Sequence, residues 1–244
     1  MNRVIWIILG VVVVAGLAAL IVFSNKEKEA DPDTKIDISK FEFKSIITEN
    51  NLPDSFAGDK SIVLDQINGK SDSDVVFIEW MNYQCSACYS LSPDMREIFE
   101  QFSDRVAFVY RYLYLPGHPN GLTASVSAEA ARLQGRFMEM NTLLFTNFYT
   151  WSEAKVNERE DAFAGIAGQI EGLDIDKWRE DYRGYASNGI KARLEFQNNL
   201  GKDAFKRLDI SGYTPFIMVN GEVIQTKDVK ESVIKALKKA LGES

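Results

Sequence analysis

Cys85 and Cys88 are the only cysteines among 244 residues, and they stand two apart in Cys85-Ser86-Ala87-Cys88. A dithiol at this spacing can close into a disulfide and open again, so thiol–disulfide exchange is the first chemistry to weigh. Two structural roles compete with it. A disulfide enclosing two residues removes little chain entropy compared with one closing a long loop, which makes it a poor staple. A zinc site needs four ligands. The single histidine, His118, with no further cysteine, cannot complete the usual thiolate and imidazole set within one chain. The redox reading is preferred, with no metal expected and no cofactor beyond the Cys85–Cys88 pair itself.

The elements around the pair give that chemistry its direction. An apolar run, Val75–Trp80, reads as a buried strand that ends just before the cysteines. After them Leu91, Met95, Ile98, Phe99 and Phe102 recur at helical spacing, with Pro93 as an expected kink. A cysteine at the opening of a helix faces unpaired backbone N–H groups and the positive end of the helix dipole, both of which favour thiolate. Cys85 is therefore expected as the exposed nucleophile, and Cys88, one turn in, as the shielded resolving partner. A substrate thiolate would attack Cys85 in the oxidised pair, and a second thiolate would release the reduced protein.

The rest of the chain supplies a scaffold. Val106–Leu115 reads as a second buried strand, closed by the turn at 116–121, which completes a βαβ unit. From Leu122 to about Leu208 the pattern is helical: Leu122–Gln134, Arg136–Phe148, Glu158–Ile170, and Ile175 to Leu200. Two short strands then meet at Asn220-Gly221, a strong hairpin signal, and Asp228 caps a closing amphipathic helix. Upstream, Ile36–Ile38 and Phe41–Phe43 alternate, and Ser61–Leu64 reads as a possible edge strand. This divides the chain into an α/β domain, 61–115 and 209–244, with an inserted helical subdomain, 116–208. Phe145, Phe148, Tyr149 and Trp151 either line a substrate groove or form the core of the inserted helices, the second being preferred.

Residues 4–23 carry no charge, and a helix of that length rises about 30 Å, the thickness of a bilayer core. A single transmembrane anchor is expected over residues 1–25, a cleaved signal being the alternative, followed by a tether and N-terminal extension over 26–60. An oxidising dithiol belongs outside the cytoplasm, so the body is expected on the extracytoplasmic side of a bacterial membrane. The net charge of −7, with no phosphate-binding glycine loop, argues against nucleic acid as a partner.

Several segments together carry a family likeness: Phe77-Ile78-Glu79-Trp80 leading through Tyr83-Gln84 into the cysteines, Arg111-Tyr112 with His118-Pro119, Gln134-Gly135-Arg136-Phe137, and Gly212-Tyr213-Thr214-Pro215-Phe216 followed by Val219-Asn220-Gly221. From about Val75 onward the chain resembles the DsbA-like thiol-disulfide oxidoreductases, most closely their membrane-anchored bacterial members. The resemblance implies a thioredoxin fold interrupted by helices. It further implies cysteine-containing exported proteins as substrates and a separate redox partner that recycles the dithiol. It makes Pro215 a cis-proline opposite the cysteines, with Thr214 offering its backbone to an extended substrate beside Ser86 and Ala87. It makes Glu79 a buried acid that could relay the proton of Cys88. The family's strong oxidases carry Pro-His between their cysteines. Ser86-Ala87 lacks that positive group and implies a less oxidising centre, so a reductase or isomerase stays open beside the oxidase, as does a tethered binding or chaperone module without catalysis.

Overall fold

Strand β2 (Val76–Met81) is the middle of the protein, and its alternation divides the interior in two. Successive side chains of a strand point to opposite faces. Ile78 and Trp80 point to one core, Phe77 and Met81 to the other. The computed structural model describes residues 36–225 and 227–243. The anchor expected over 4–23 and the charged spacer up to residue 35 lie outside these residues. Among the described residues no helix is long and apolar enough to cross a membrane.

Five strands form one sheet in the order β1-β3-β2-β4-β5, with β1 at Ile67–Gly69, β3 at Ala107–Tyr112, β4 at Phe216–Val219 and β5 at Glu222–Val223. Strands β2 and β3 are parallel, Glu79 lying opposite Tyr110, and helix α2 (Ser86–Phe102) connects them. The other pairings are antiparallel. The hairpin between β4 and β5 turns at Asn220 and Gly221, both at positive φ, the conformation that Asn-Gly supplies for a two-residue turn.

Helix α2 packs Met95, Ile98 and Phe102 toward Phe77 and Phe108, in a core that also takes Val233 and Leu237 of the final helix, Val229–Ala240. Pro93 sits inside α2, which continues on either side of it. The ring removes the N–H that would bond the Tyr89 carbonyl, and the Ser92 hydroxyl donates to that oxygen instead at 2.9 Å.

Between β3 and β4 lie only helices: α3 (Gly121–Arg132), α4 (Phe137–Thr146), α5 (Phe148–Trp151), α6 (Arg159–Ala167), α7 (Ile175–Arg183) and α8 (Ile190–Leu208). The single helix expected from Ile175 to Leu200 is two helices. The chain turns at Gly184–Gly189, where Gly189 takes φ +85°. The start of α8 joins the helical core through Ile190 and Leu194, whereas Phe196, Leu200 and Phe205 pack against Trp80 and Phe216 on the sheet.

The N-terminal region corrects the sequence more strongly. Ile38–Lys40 is a turn of 3-10 helix, and Lys60–Val63 is helical (α1) rather than an edge strand; the edge strand is β1, further on. Arginines hold the stretch instead of strand pairing. Arg111 donates to the carbonyls of Phe43 and Ser45 at 2.8 Å, Arg193 to Ser61 O at 3.2 Å, and Arg207 to Ser39 O at 2.8 Å.

Candidate active site

Cys85 is the N-cap of α2, with extended backbone at φ −76° and ψ 121°, so its sulfur lies where the first amides of the helix are unpaired. The short loop before it is fixed by amides. Asn82 donates to Leu113 O at 3.1 Å and accepts from the Gln84 N–H at 2.9 Å. Gln84 in turn donates to Ser152 O at 2.7 Å and accepts from the Asn120 N–H at 2.5 Å. The Asn120 amide shares itself among the carbonyls of Trp151, Ser152 and Ala154. Gly121, at the start of α3, lies so close that a Cβ there would stand 2.5 Å from Asn82 Oδ1. The strand end, the turn after β3 and the α5 corner thus hold one loop in place.

Both cysteines are unpaired thiols. Contrary to the sequence expectation, Cys85 is not openly exposed. It keeps 8 % of its surface and Cys88 2 %, with Thr214 in contact with the Cys85 sulfur. Thr214-Pro215 is a cis peptide, and the Cys85 thiol donates to the Thr214 carbonyl at 3.4 Å. Ser86 and Ala87 are exposed beside it.

The two sulfurs are electrostatically unequal. The Cys85 pKa is lowered to about 5, chiefly because the Cys88 thiol hydrogen-bonds its sulfur, with help from Thr214 and the N–H groups of Cys88 and Ala87, against the cost of burial. Cys88 is pushed well above the ordinary thiol range by burial first, then by its bond to Cys85 and the nearby Glu79 charge. The Thr214 hydroxyl is buried with no partner other than the Cys85 sulfur, to which it can donate when that sulfur is a thiolate. Glu79 is buried on the same sheet face as α2, and burial alone pushes its carboxyl up to about 8.

The structure therefore brings Cys85, Cys88, Glu79, Thr214, Pro215, Ser86 and Ala87 together. His118 is half-buried in the turn before α3. Of the aromatic group, Phe145, Phe148 and Trp151 are core, whereas Tyr149 is 76 % exposed, its ring edge-on to Tyr89 of α2. Sequence reasoning missed Asn82 and Asn120 and gave Gln84 no role beyond a family motif. Among the described residues no cluster of three or more His, Cys, Asp or Glu side chains could hold a metal.

The family model described as Thioredoxin matches residues 63–239. In fold the chain is similar to BdbD of Bacillus subtilis, with a TM-score of 0.59 at 18% identity over 73% of this chain and 93% of that one. It is likewise similar to the thiol-disulfide exchange protein α-DsbA2 of Wolbachia pipientis, at 0.57 and 16% identity over 72% and 86%. Among curated proteins it is 29% identical, over 73% of its length, to the Na(+)/H(+) antiporter NhaA 1 of Mycolicibacterium gilvum. It spans only about a quarter of that relative, 27%.

Proposed function

The chain belongs to the thioredoxin family, and on that premise we propose that it is a membrane-anchored thiol-disulfide oxidoreductase that forms disulfides in exported proteins. The observation carrying the proposal is the inequality of the sulfurs: Cys85 with its pKa lowered to about 5, Cys88 buried and held as a thiol. A sulfur that is stable as thiolate is a good leaving group, so the reduced form is favoured and the disulfide gives up its oxidising equivalents readily.

A substrate thiolate attacks Cys85 Sγ, and the Cys85–Cys88 bond breaks with its electron pair on Cys88. The Cys88 thiolate takes a proton from the Glu79 carboxyl, which is still protonated at neutral pH. A second substrate thiolate attacks the substrate sulfur of the mixed disulfide and expels Cys85 as thiolate. The substrate has lost two electrons and the dithiol holds them until a separate redox partner removes them. During attack the Thr214 backbone pairs with the extended substrate, and Ser86 and Ala87 form the exposed lip.

A reductase is the second reading, favoured by the absence of a charged residue between the cysteines at Ser86-Ala87. Antiport, the activity named for the curated relative, is not part of the proposal, since the chain spans about a quarter of that protein.

Cys88→Ser tests the chemistry. It should accumulate reductant-sensitive adducts through Cys85 with exported proteins, and an absence of any covalent partner would leave a binding module. The equilibrium potential against glutathione sets the direction: near −120 mV an oxidant, near −270 mV a reductant, on the scale of about those values for DsbA and thioredoxin.

A further inference from the structure

A cavity of about 1230 Å³ reaches the dithiol from behind, along α2 and α4. Ligand sites for small organic molecules run from roughly 300 to 1,000 Å³, so a whole molecule fits. Cys88 and Glu79 line it; Cys85, Thr214 and Pro215 do not. It is therefore distinct from the face where a protein thiol would arrive.

Its lining has a specific chemistry. Tyr89, Phe99, Tyr110 and Phe145 present aromatic surface, and Met81 and Met138 add adaptable apolar walls. The acid among them is Glu79, 4 % exposed and held by no hydrogen bond or ion pair among the described residues. A buried carboxyl facing an aromatic-walled space lacks a polar partner, and a cation is the one that the aromatic walls would also favour. Carboxylate and aromatic faces both attract one, and more strongly away from water. At the rim the acids Glu100, Glu139 and Glu171 outnumber Arg96 and Arg136, and Arg136 is already paired with Glu139 at 3.1 Å. An anion would meet the wrong field.

We propose that this cavity binds a lipophilic organic cation, an alkyl- or arylalkylammonium, with its nitrogen on Glu79 and its apolar body between α2 and α4, and that occupancy slows exchange at the dithiol. The second clause rests on the reading of Glu79 as the proton carrier for Cys88; the binding itself does not. An ammonium on Glu79 keeps it a carboxylate, so no proton is available when Cys88 leaves.

The test uses the full chain, reduced, and three probes on one carbon frame: 4-phenylbutylammonium, 4-phenylbutanol and 4-phenylbutyrate, with affinities measured by calorimetry under identical conditions. The ammonium should bind at least tenfold more tightly than the carboxylate, with the alcohol between. Glu79→Gln should bring the ammonium down to the level of the alcohol. Met138→Trp, which takes up part of the cavity and leaves Glu79 in place, should weaken binding of both. Docking on a carboxylate expels the Glu79 proton, so ammonium affinity should rise about tenfold per unit between pH 6 and its value near 8. The titratable groups facing Glu79 are Cys88 of α2, Tyr110 of β3 and Tyr83 of the loop, all pushed upward and neutral over that range. The charged rim groups are Arg96 and Glu100 of α2, Arg136 and Glu139 at the start of α4, and Glu171.

Equal binding of the three probes, no binding, or indifference to Glu79→Gln would overturn the site. Exchange on a dithiol peptide is measured without probes and with saturating 4-phenylbutylammonium, which should slow it; an unchanged rate at saturation would refute the coupling. A chain that exchanges but binds no ammonium refutes the cavity alone. A chain that binds ammonium but never exchanges keeps the site and refutes the coupling together with the proposed function.

Discussion

The sulfur of Cys85 and the carbonyl oxygen of Thr214 lie 3.4 Å apart, joined across 129 residues of sequence by the cis peptide at Thr214-Pro215. The contact puts the nucleophile under the backbone that would receive a substrate strand, and since a carbonyl only accepts, it serves the thiol form and leaves the thiolate to be stabilised by other groups. The causes of acidity at Cys85 are donors, the Cys88 thiol first, then Thr214 and the N–H groups of Cys88 and Ala87.

That origin can be tested by titration. Thiolate absorbance of the reduced chain should show a midpoint near 5 for Cys85. Cys88→Ala removes the largest cause and should move the midpoint up toward the ordinary thiol range. Thr214→Val removes a smaller one and should move it less, and Cys88→Ser, which keeps a donor, less than Cys88→Ala. Equal midpoints in all four proteins would mean that the helix end alone sets the acidity.

Glu79 makes a prediction about stability. Its carboxyl is raised from 4.5 to about 8, so the folded state holds a proton that the unfolded chain has lost. Its contribution is fully present below about pH 4.5 and is lost as pH rises through about 8. At about 1.4 kcal/mol per pH unit, Glu79→Gln should gain on the wild type by about 4 kcal/mol between pH 5 and pH 8. Cys85, with its pKa depressed, gives the opposite slope, stability lost as pH falls toward 5, but it is common to both proteins and cancels. Urea unfolding of the two reduced proteins at several pH values measures the difference. A gap that does not change with pH would refute the buried acid.

The dithiol with its strand and helix was legible because each is a local pattern of apolar period or spacing, whereas the cis peptide at Thr214-Pro215 was legible only through the family resemblance. The hairpin at Asn220-Gly221 was, like the dithiol, legible as a local pattern. What failed was what long-range partners decide. The alternation at Ile36–Ile38 and Phe41–Phe43 suggested strands, yet Arg111 and Arg207, far along the chain, take up that backbone's carbonyls. Gln84 was visible only as part of a family motif. Its bonds to Ser152 and Asn120 span 68 and 36 residues and leave no periodic trace. The burial of Cys85 was missed as well, its partner Thr214 standing 129 residues away.

Gly121 should matter to activity more than its place outside the dithiol suggests. The Cβ of Gly121→Ala would stand 2.5 Å from Asn82 Oδ1, the oxygen that holds the Gln84 N–H. The loop ahead of Cys85 must shift, with about 1–3 kcal/mol of destabilisation expected from the overpacking. Exchange should slow tenfold or more, since misplacement near 1 Å can cost about a hundredfold. In an Asn82→Ala background the clash is gone, and Gly121→Ala should then add little. Additive losses in the double variant would show that Gly121 acts by another route.

Asp65 and Arg111 make the last prediction. Their ion pair is almost wholly removed from water, with side chains 1 % and 0 % exposed. Arg111 also stacks 4.7 Å from the Trp80 ring, and Asp65 accepts from the Ile47 N–H at 2.8 Å. Burying two charges is costly, and the pair offsets that cost only while both are present. Asp65→Asn leaves the guanidinium uncompensated beside the sheet and should lose about 3–5 kcal/mol, on the order of 10 °C in melting temperature. Arg111→Met strands the carboxylate and the Phe43 and Ser45 carbonyls and should lose a similar amount. The double variant Asp65→Asn/Arg111→Met strands no charge and should lose clearly less than the two singles added together. Urea unfolding of the four proteins closes the cycle. Simple additivity would mean that the arginine acts through its backbone carbonyls and not through Asp65.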